Sequence, residues 1–185
     1  MAPLEALGIH VVTTIRESNS MPGNWNGLLP NRLFRDYSAP SMRRAVERML
    51  EGTDHDVVQV EYVEMAHLVA AQPRVAPRIY VCHESLTVAE ERSGAGAVQV
   101  ALAARYERSL LQAFDRTIAL SDSDAQMLQT LLPGHRVDVV PSGTEVADVK
   151  NEPAPTDEPV IVFVGYFKHA PNVDAAQWLA REKIG

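Results

Sequence analysis

Short runs of consecutive apolar, mostly β-branched residues recur along this chain, and no other feature limits its fold as much. They occupy Ile9–Ile15, Val57–Glu61, Arg78–Cys82, Thr117–Leu120, Val137–Val140 and Val160–Val164. Apolar character on successive residues, without alternation, belongs to strands buried on both faces, as in parallel sheets. Helical stretches lie between them. Ser41–Glu51 follows Pro40 and stops at Gly52, the usual order of helix start and stop signals. Over 97–114, Ala103, Tyr106, Leu110 and Phe114 recur at spacings of three and four, which gives a core-facing stripe. Ser121 followed by Asp122, Ser123 and Asp124 opens a third helix, with a capping hydroxyl and early carboxylates. Strand and helix alternate with crossovers too long for hairpins. The expectation is α/β: βαβ units in a mostly parallel sheet over residues 4–145, with helices on both faces.

Residues 146–159 (VADVKNEPAPTDEP in the run from Val146) carry three prolines and several acids without periodicity, which is linker composition. A new strand, Val160–Val164, then leads through Gly165 into a helix from Asn172 to about Lys183. One strand and one helix cannot bury their apolar faces alone, so 160–185 reads as the first βα unit of a second domain. At the other end, Leu4–Gly8 reads as the tail of a helix running straight into a strand. The first domain spans 1–145. Open sheet edges make self-association an expectation too.

A net charge of −7 disfavours duplex DNA or RNA as a partner, because phosphate binding needs clustered Lys and Arg. The exception is a basic stretch of Arg32, Arg35, Arg43, Arg44 and Arg48, diluted by Asp36 and Glu47. It reads first as a solvated helix face and second as a contact for an anionic lipid headgroup or phosphate. Cys82 is the single cysteine, so no internal disulfide forms and a reducing compartment fits. No run of about 18 apolar residues and no export leader is seen, and the expected location is cytoplasmic, at most against the inner face of a membrane.

In open α/β sheets, ligands bind beyond the carboxyl ends of the strands. That rule selects Glu61 and Tyr62, His83 and Glu84, Ser121 and Asp122, Ser142–Thr144, and Gly165 with Lys168. Cys82 and His83 are not a nucleophile–base pair, since neighbours on a strand face opposite ways; Cys82 reads as a buried small apolar residue. Histidines stand at 10, 55, 67, 83, 135 and 169, and none forms an HxH or HxxxH pair, so no metal is expected. Gly94 and Gly96 form a broken GxG, read as a loop or helix start rather than a phosphate cradle.

Five segments together resemble the retaining, nucleotide-sugar-dependent glycosyltransferases of family 4, which have the two-domain GT-B fold. They are DVVQVEY (Asp56–Tyr62), YVCHES (Tyr80–Ser85), RYERSLLQAFDRTIALSDSDA (Arg105–Ala125), VDVVPSGTE (Val137–Glu145) and VFVGYFKHAPNVDAAQWL (Val162–Leu179). The last, with Pro171, Asn172 and Trp178, is similar to a bacterial polysaccharide-biosynthesis subgroup. The resemblance implies a Rossmann-like, acceptor-side domain over 1–145 and the start of a donor-binding domain over 160–185. It implies His83 in the cleft near the transferred sugar, Gly165 and Lys168 at the donor diphosphate, Ser142 and Gly143 in the interdomain turn, and Glu61, Tyr62 and Glu84 on the acceptor side. The partners implied are a nucleotide sugar and a sugar or lipid-linked acceptor, with no metal or other cofactor.

Two departures stand out. Ser142 precedes Gly143 where the family usually has Asn, and the family's opening strand, its glycine-rich loop and its Glu-x7-Glu element are not found, so the domain over 1–145 is expected to lack its opening strand. The chain by itself is therefore expected to transfer no sugar. Alternatives are a non-catalytic binding module derived from the acceptor half, a GT-B nucleotide-sugar epimerase, or an unrelated flavodoxin-like domain.

Overall fold

The apolar runs become strands where each has a neighbour to pair with. The computed structural model describes residues 2–14, 40–51, 54–143 and 160–182. Four strands form within it: β1 (Val58–Glu61), β2 (Arg78–Cys82), β3 (Arg116–Ala119) and β4 (Val137–Val139). All pair in parallel, in the order β1-β2-β3-β4. The helices are α1 (Ala2–Glu5), α2 (Pro40–Glu51), α3 (Val63–Ala70), α4 (Leu86–Arg92), α5 (Ala97–Leu111), α6 (Asp122–Leu131) and α7 (Ala170–Glu182). The α/β, Rossmann-like expectation holds.

The sheet has one helix-covered face. Val60, Tyr80, Thr117 and Val137 stand in register across it, and the first three are buried. Val60, Tyr80, Cys82 and Ala119 share one core with Ala66 of α3, Leu86 of α4, Leu111 of α5 and Leu128 of α6. On the opposite face Glu61, Val81, Ile118 and Asp138 are in register; Val81 is buried, Ile118 half-buried, Glu61 and Asp138 exposed. The expectation of helices on both faces is corrected for the described residues. Because the strand order never reverses, right-handed crossovers deliver every connecting helix to the same side.

Two other expectations change. Residues 9–14 form no strand, and Ile15 lies outside the described residues. Val160–Val164 forms none either, and Val160 and Val164 stay 73% and 90% exposed. Both runs have strand composition, but a ladder needs a second strand to accept and donate its hydrogen bonds.

The amino ends of β2 and β3 are braced by charge. Buried Arg78 donates through Nη2 to the carbonyls of Gln72 and Pro73 at 2.8 and 2.5 Å. Asp115 accepts the backbone N–H of Arg78 at 2.7 Å and the Arg74 guanidinium at 2.7 Å. The amide donation first, with the guanidinium beside it, holds the Asp115 carboxyl below its usual range. On α2, Ala45 and Leu50 are buried while Arg43, Arg44 and Arg48 are exposed, as a solvated basic face requires; Arg32 and Arg35 lie outside the described residues.

The chain divides into two compact units, Met1–Gly143 and Thr144–Gly185. The expected linker, 146–159, lies outside the described residues. In the second unit, Asn172 Nδ2 of α7 donates to the Tyr166 carbonyl at 3.2 Å, which ties the loop before the helix to its first turn.

Candidate functional site

β1 passes into α3 through Tyr62, whose backbone sits at φ 68°, ψ 142°. That conformation is costly for a residue with a side chain, about 1–3 kcal/mol, and persists only where surroundings over-determine it. Here they do. The Tyr62 N–H donates to the Val81 carbonyl at 3.3 Å, and its carbonyl accepts from Met65 and Ala66 at 3.1 and 3.2 Å. The outcome is a half-exposed ring laid flat on the His83 imidazole, centroids 4.0 Å apart and planes 16° from parallel.

His83 follows directly on β2. Cys82 faces the helix-covered core, so the next residue turns to the open face, where Glu61 also points. Glu61 pairs with Val81 in the ladder, which makes His83 its diagonal neighbour. The imidazole Nε2 lies 2.7 Å from Glu61 Oε2. Gln59 Nε2 donates to the other carboxylate oxygen at 2.6 Å and fixes the carboxylate in turn. With its proton on Nε2, His83 keeps Nδ1 as an acceptor for an incoming hydroxyl.

The loop then enters α4 at Ser85, whose hydroxyl accepts from Val88 N–H. Its main anchor is distant in sequence. Glu107, on α5 and 1% exposed, accepts from Ser85 Oγ at 2.8 Å, Leu86 N–H at 3.1 Å, Thr87 N–H at 3.1 Å and Thr87 Oγ1 at 2.6 Å. A buried carboxylate is tolerated only with such a complement of donors.

Between these elements lies a cleft of about 170 Å³ lined by Tyr62, Glu64, His83, Glu84, Leu86 and Ala89, among others. None of its lining residues is Lys or Arg. It offers an aromatic face, an oriented imidazole and carboxylate acceptors, which suit a hydroxyl-rich ligand better than a phosphate.

The structure thus gathers Glu61, Tyr62, His83 and Glu84 at the carboxyl ends of β1 and β2. Ser142 and Gly143 are exposed beyond β4, two strands from β2 (about 10 Å across the sheet), and do not line the cleft. A side chain at Gly143 would meet nothing. Gly165 and Lys168 belong to the second unit. A Cβ at Gly165 would stand 2.9 Å from the Phe163 ring and 3.3 Å from Asn172, so a side chain there would have to displace the exposed Phe163 ring; Lys168 is exposed. Burial pushes the Cys82 thiol up to about 12, which removes it as a nucleophile. Sequence reasoning missed Gln59, Glu107, the strain at Tyr62 and the helices α3 and α4. Glu107 did leave a trace: it sits four residues after Ala103 and three before Leu110, on the apolar stripe, where a solvated acid does not belong.

A Rossmann-like sheet with candidate ligand-facing side chains gathered beyond its strand ends is an α/β domain of the ligand-binding type. The family model for the glycosyl transferase 4-like domain matches residues 2–143. The chain belongs to that family, and its function is of the glycosyltransferase type. The match spans the whole cleft and stops before Gly165 and Lys168. Neither the curated proteins nor the solved structures give a match. Among the described residues, no helix is long and apolar enough to cross a membrane.

Proposed function

We propose that the chain is part of an enzyme that transfers a sugar from a nucleotide-sugar donor to a hydroxyl of a sugar or lipid-linked acceptor, with retention of configuration, in bacterial polysaccharide or glycoconjugate synthesis at the cytoplasmic side of the membrane. The observation that carries this reading is the Glu61–His83–Tyr62 cluster at the strand ends of a family-matched domain. In a GT-B enzyme, residues 1–145 are the acceptor side and 160–185 begin the donor domain. His83 hydrogen-bonds the transferred sugar through Nδ1, with Glu61 holding its ring from the other side and Tyr62 fixing its plane. Glu61, Tyr62 and Glu84 face the acceptor. The departing nucleoside diphosphate accumulates negative charge, which backbone N–H groups near Gly165 and the ammonium of Lys168 stabilise. Ser142 and Gly143 form the turn between the halves. No metal enters this scheme.

His83→Ala tests it. Loss of a contact made mainly in the transition state costs about 2–4 kcal/mol, or roughly two to three orders of magnitude in rate. In the full-length enzyme that carries this chain, turnover of a panel of nucleotide sugars is measured beside the melting temperature. A variant that folds like wild type and transfers as fast removes His83 from the site.

A further inference from the structure

We infer that Glu107 is a positioning residue for His83: its carboxylate fixes the loop that carries the imidazole, although it stands 24 positions along the chain and never touches the cleft. The inference rests on the reading of the His83 cleft as the functional site. The geometry behind it is independent of any sugar. One carboxylate accepts four donors from three consecutive residues, Ser85, Leu86 and Thr87. Three of the four go to Oε2 and one to Oε1, so both oxygens are used and the group cannot rotate without losing a bond. Ser85 lies two residues after His83, with Glu84 alone between them. His83 is therefore held at two ends, by β2 through the ladder and by α4 through Glu107.

The chemistry requires a carboxylate. Two backbone N–H groups and two hydroxyls all donate, and only an ionised acid supplies two oxygens that accept without offering a competing N–H. Glutamine presents one carbonyl oxygen and turns an NH2 toward a donor. The expected consequence is a loosened 85–87 segment and an imidazole that no longer rests in a single place on Glu61 and Tyr62.

The test is hydrogen exchange and NMR on the ligand-free 185-residue protein, comparing wild type with Glu107→Gln, Thr87→Val and Glu61→Gln. In Glu107→Gln, exchange at the Leu86 and Thr87 amides rises roughly tenfold to a hundredfold relative to Ile118 and Leu128, and the His83 Cε1–H signal moves and broadens. Thr87→Val, which keeps the carboxylate and removes one donor, acts in the same direction by about threefold. Glu61→Gln moves the His83 signal and leaves Leu86 and Thr87 exchange unchanged, which shows that the signal reports the ring's position. Equal acceleration at all four amides, or a His83 signal that stays put in a folded Thr87→Val chain with faster Thr87 exchange, overturns the proposal. No substrate enters the measurement, so its failure leaves the transferase reading standing, while the failure of that reading would leave Glu107 as the anchor of the 85–87 segment without a functional role for His83.

Discussion

Two strand-to-helix junctions in this sheet begin alike and end differently. Beyond β3, Ser121 caps α6 locally: its hydroxyl accepts the Asp124 N–H at 3.2 Å and donates to the Asp124 carboxylate at 2.6 Å. Beyond β2, Ser85 caps α4, but its hydroxyl donates to a carboxylate from another helix, 22 residues away. A local cap starts a helix and does little else. A distant buried acid also sets where the junction sits relative to the core, and the junction so fixed is the one that carries His83. The neighbouring β1 junction shows the same investment, with a strained tyrosine backbone where a glycine would have been easy. Among the described residues, anchoring by distant groups is concentrated at the β1 and β2 ends, and the β3 end relies on its local cap.

That contrast can be broken by stability. Glu107→Ala leaves the buried Leu86 N–H, the half-buried Thr87 N–H and two hydroxyls without their acceptor, so it should cost about 3–5 kcal/mol in denaturant unfolding. Ser121→Ala should cost about 1 kcal/mol, the usual worth of an N-cap. Equal losses at the two sites would dissolve the distinction between them. Between these lies Tyr62→Gly. It relieves about 1–3 kcal/mol of backbone strain and gives up the ring stack and some unfolded-state restriction. The net change in melting behaviour should be within about 1 kcal/mol, while ligand binding at the cleft falls at least tenfold.

The smallest expected effect concerns pH at the quiet end of the sheet. The His135 Nε2 lies 2.8 Å from Thr117 Oγ1, and burial holds the imidazole below its ordinary 6.5. The unfolded chain therefore takes up this proton first. Stability falls as pH drops below about 6.5 and stops falling once the folded state is also protonated. His135→Gln should flatten part of that slope. Some slope remains because His67 on α3 is also lowered, chiefly by burial. A slope identical in wild type and variant would show that His135 is solvated.

Much of the fold was legible because its signals are local. The runs at 78–82 and 137–139, the Pro40 start of α2 and the Ser121–Asp124 cap each depend on residues within a few positions. Val160–Val164 misled because composition reports strand preference and says nothing of a partner. The candidate site was half legible. Glu61, Tyr62, His83 and Glu84 follow from the rule that ligands meet strand ends. Glu107 and Gln59 do not, since their roles come from contacts with other elements. Tyr62's conformation is the least legible of all, because the bond from its N–H to Val81 on β2, together with the first turn of α3, imposes it against its own preference.

The central claim, that the cleft at the β1 and β2 ends is where the protein meets sugar, has a direct test. The isotope-labelled chain is titrated with methyl α-glucoside, methyl α-mannoside and inorganic phosphate while backbone amide shifts are followed. A glycoside should move the amides of 61–64 and 83–87 in a saturable way, phosphate should leave them unmoved, and Ser142 and Gly143 should stay silent. Shifts confined to the β3 and β4 ends, or phosphate outcompeting every glycoside at His83, would contradict the account.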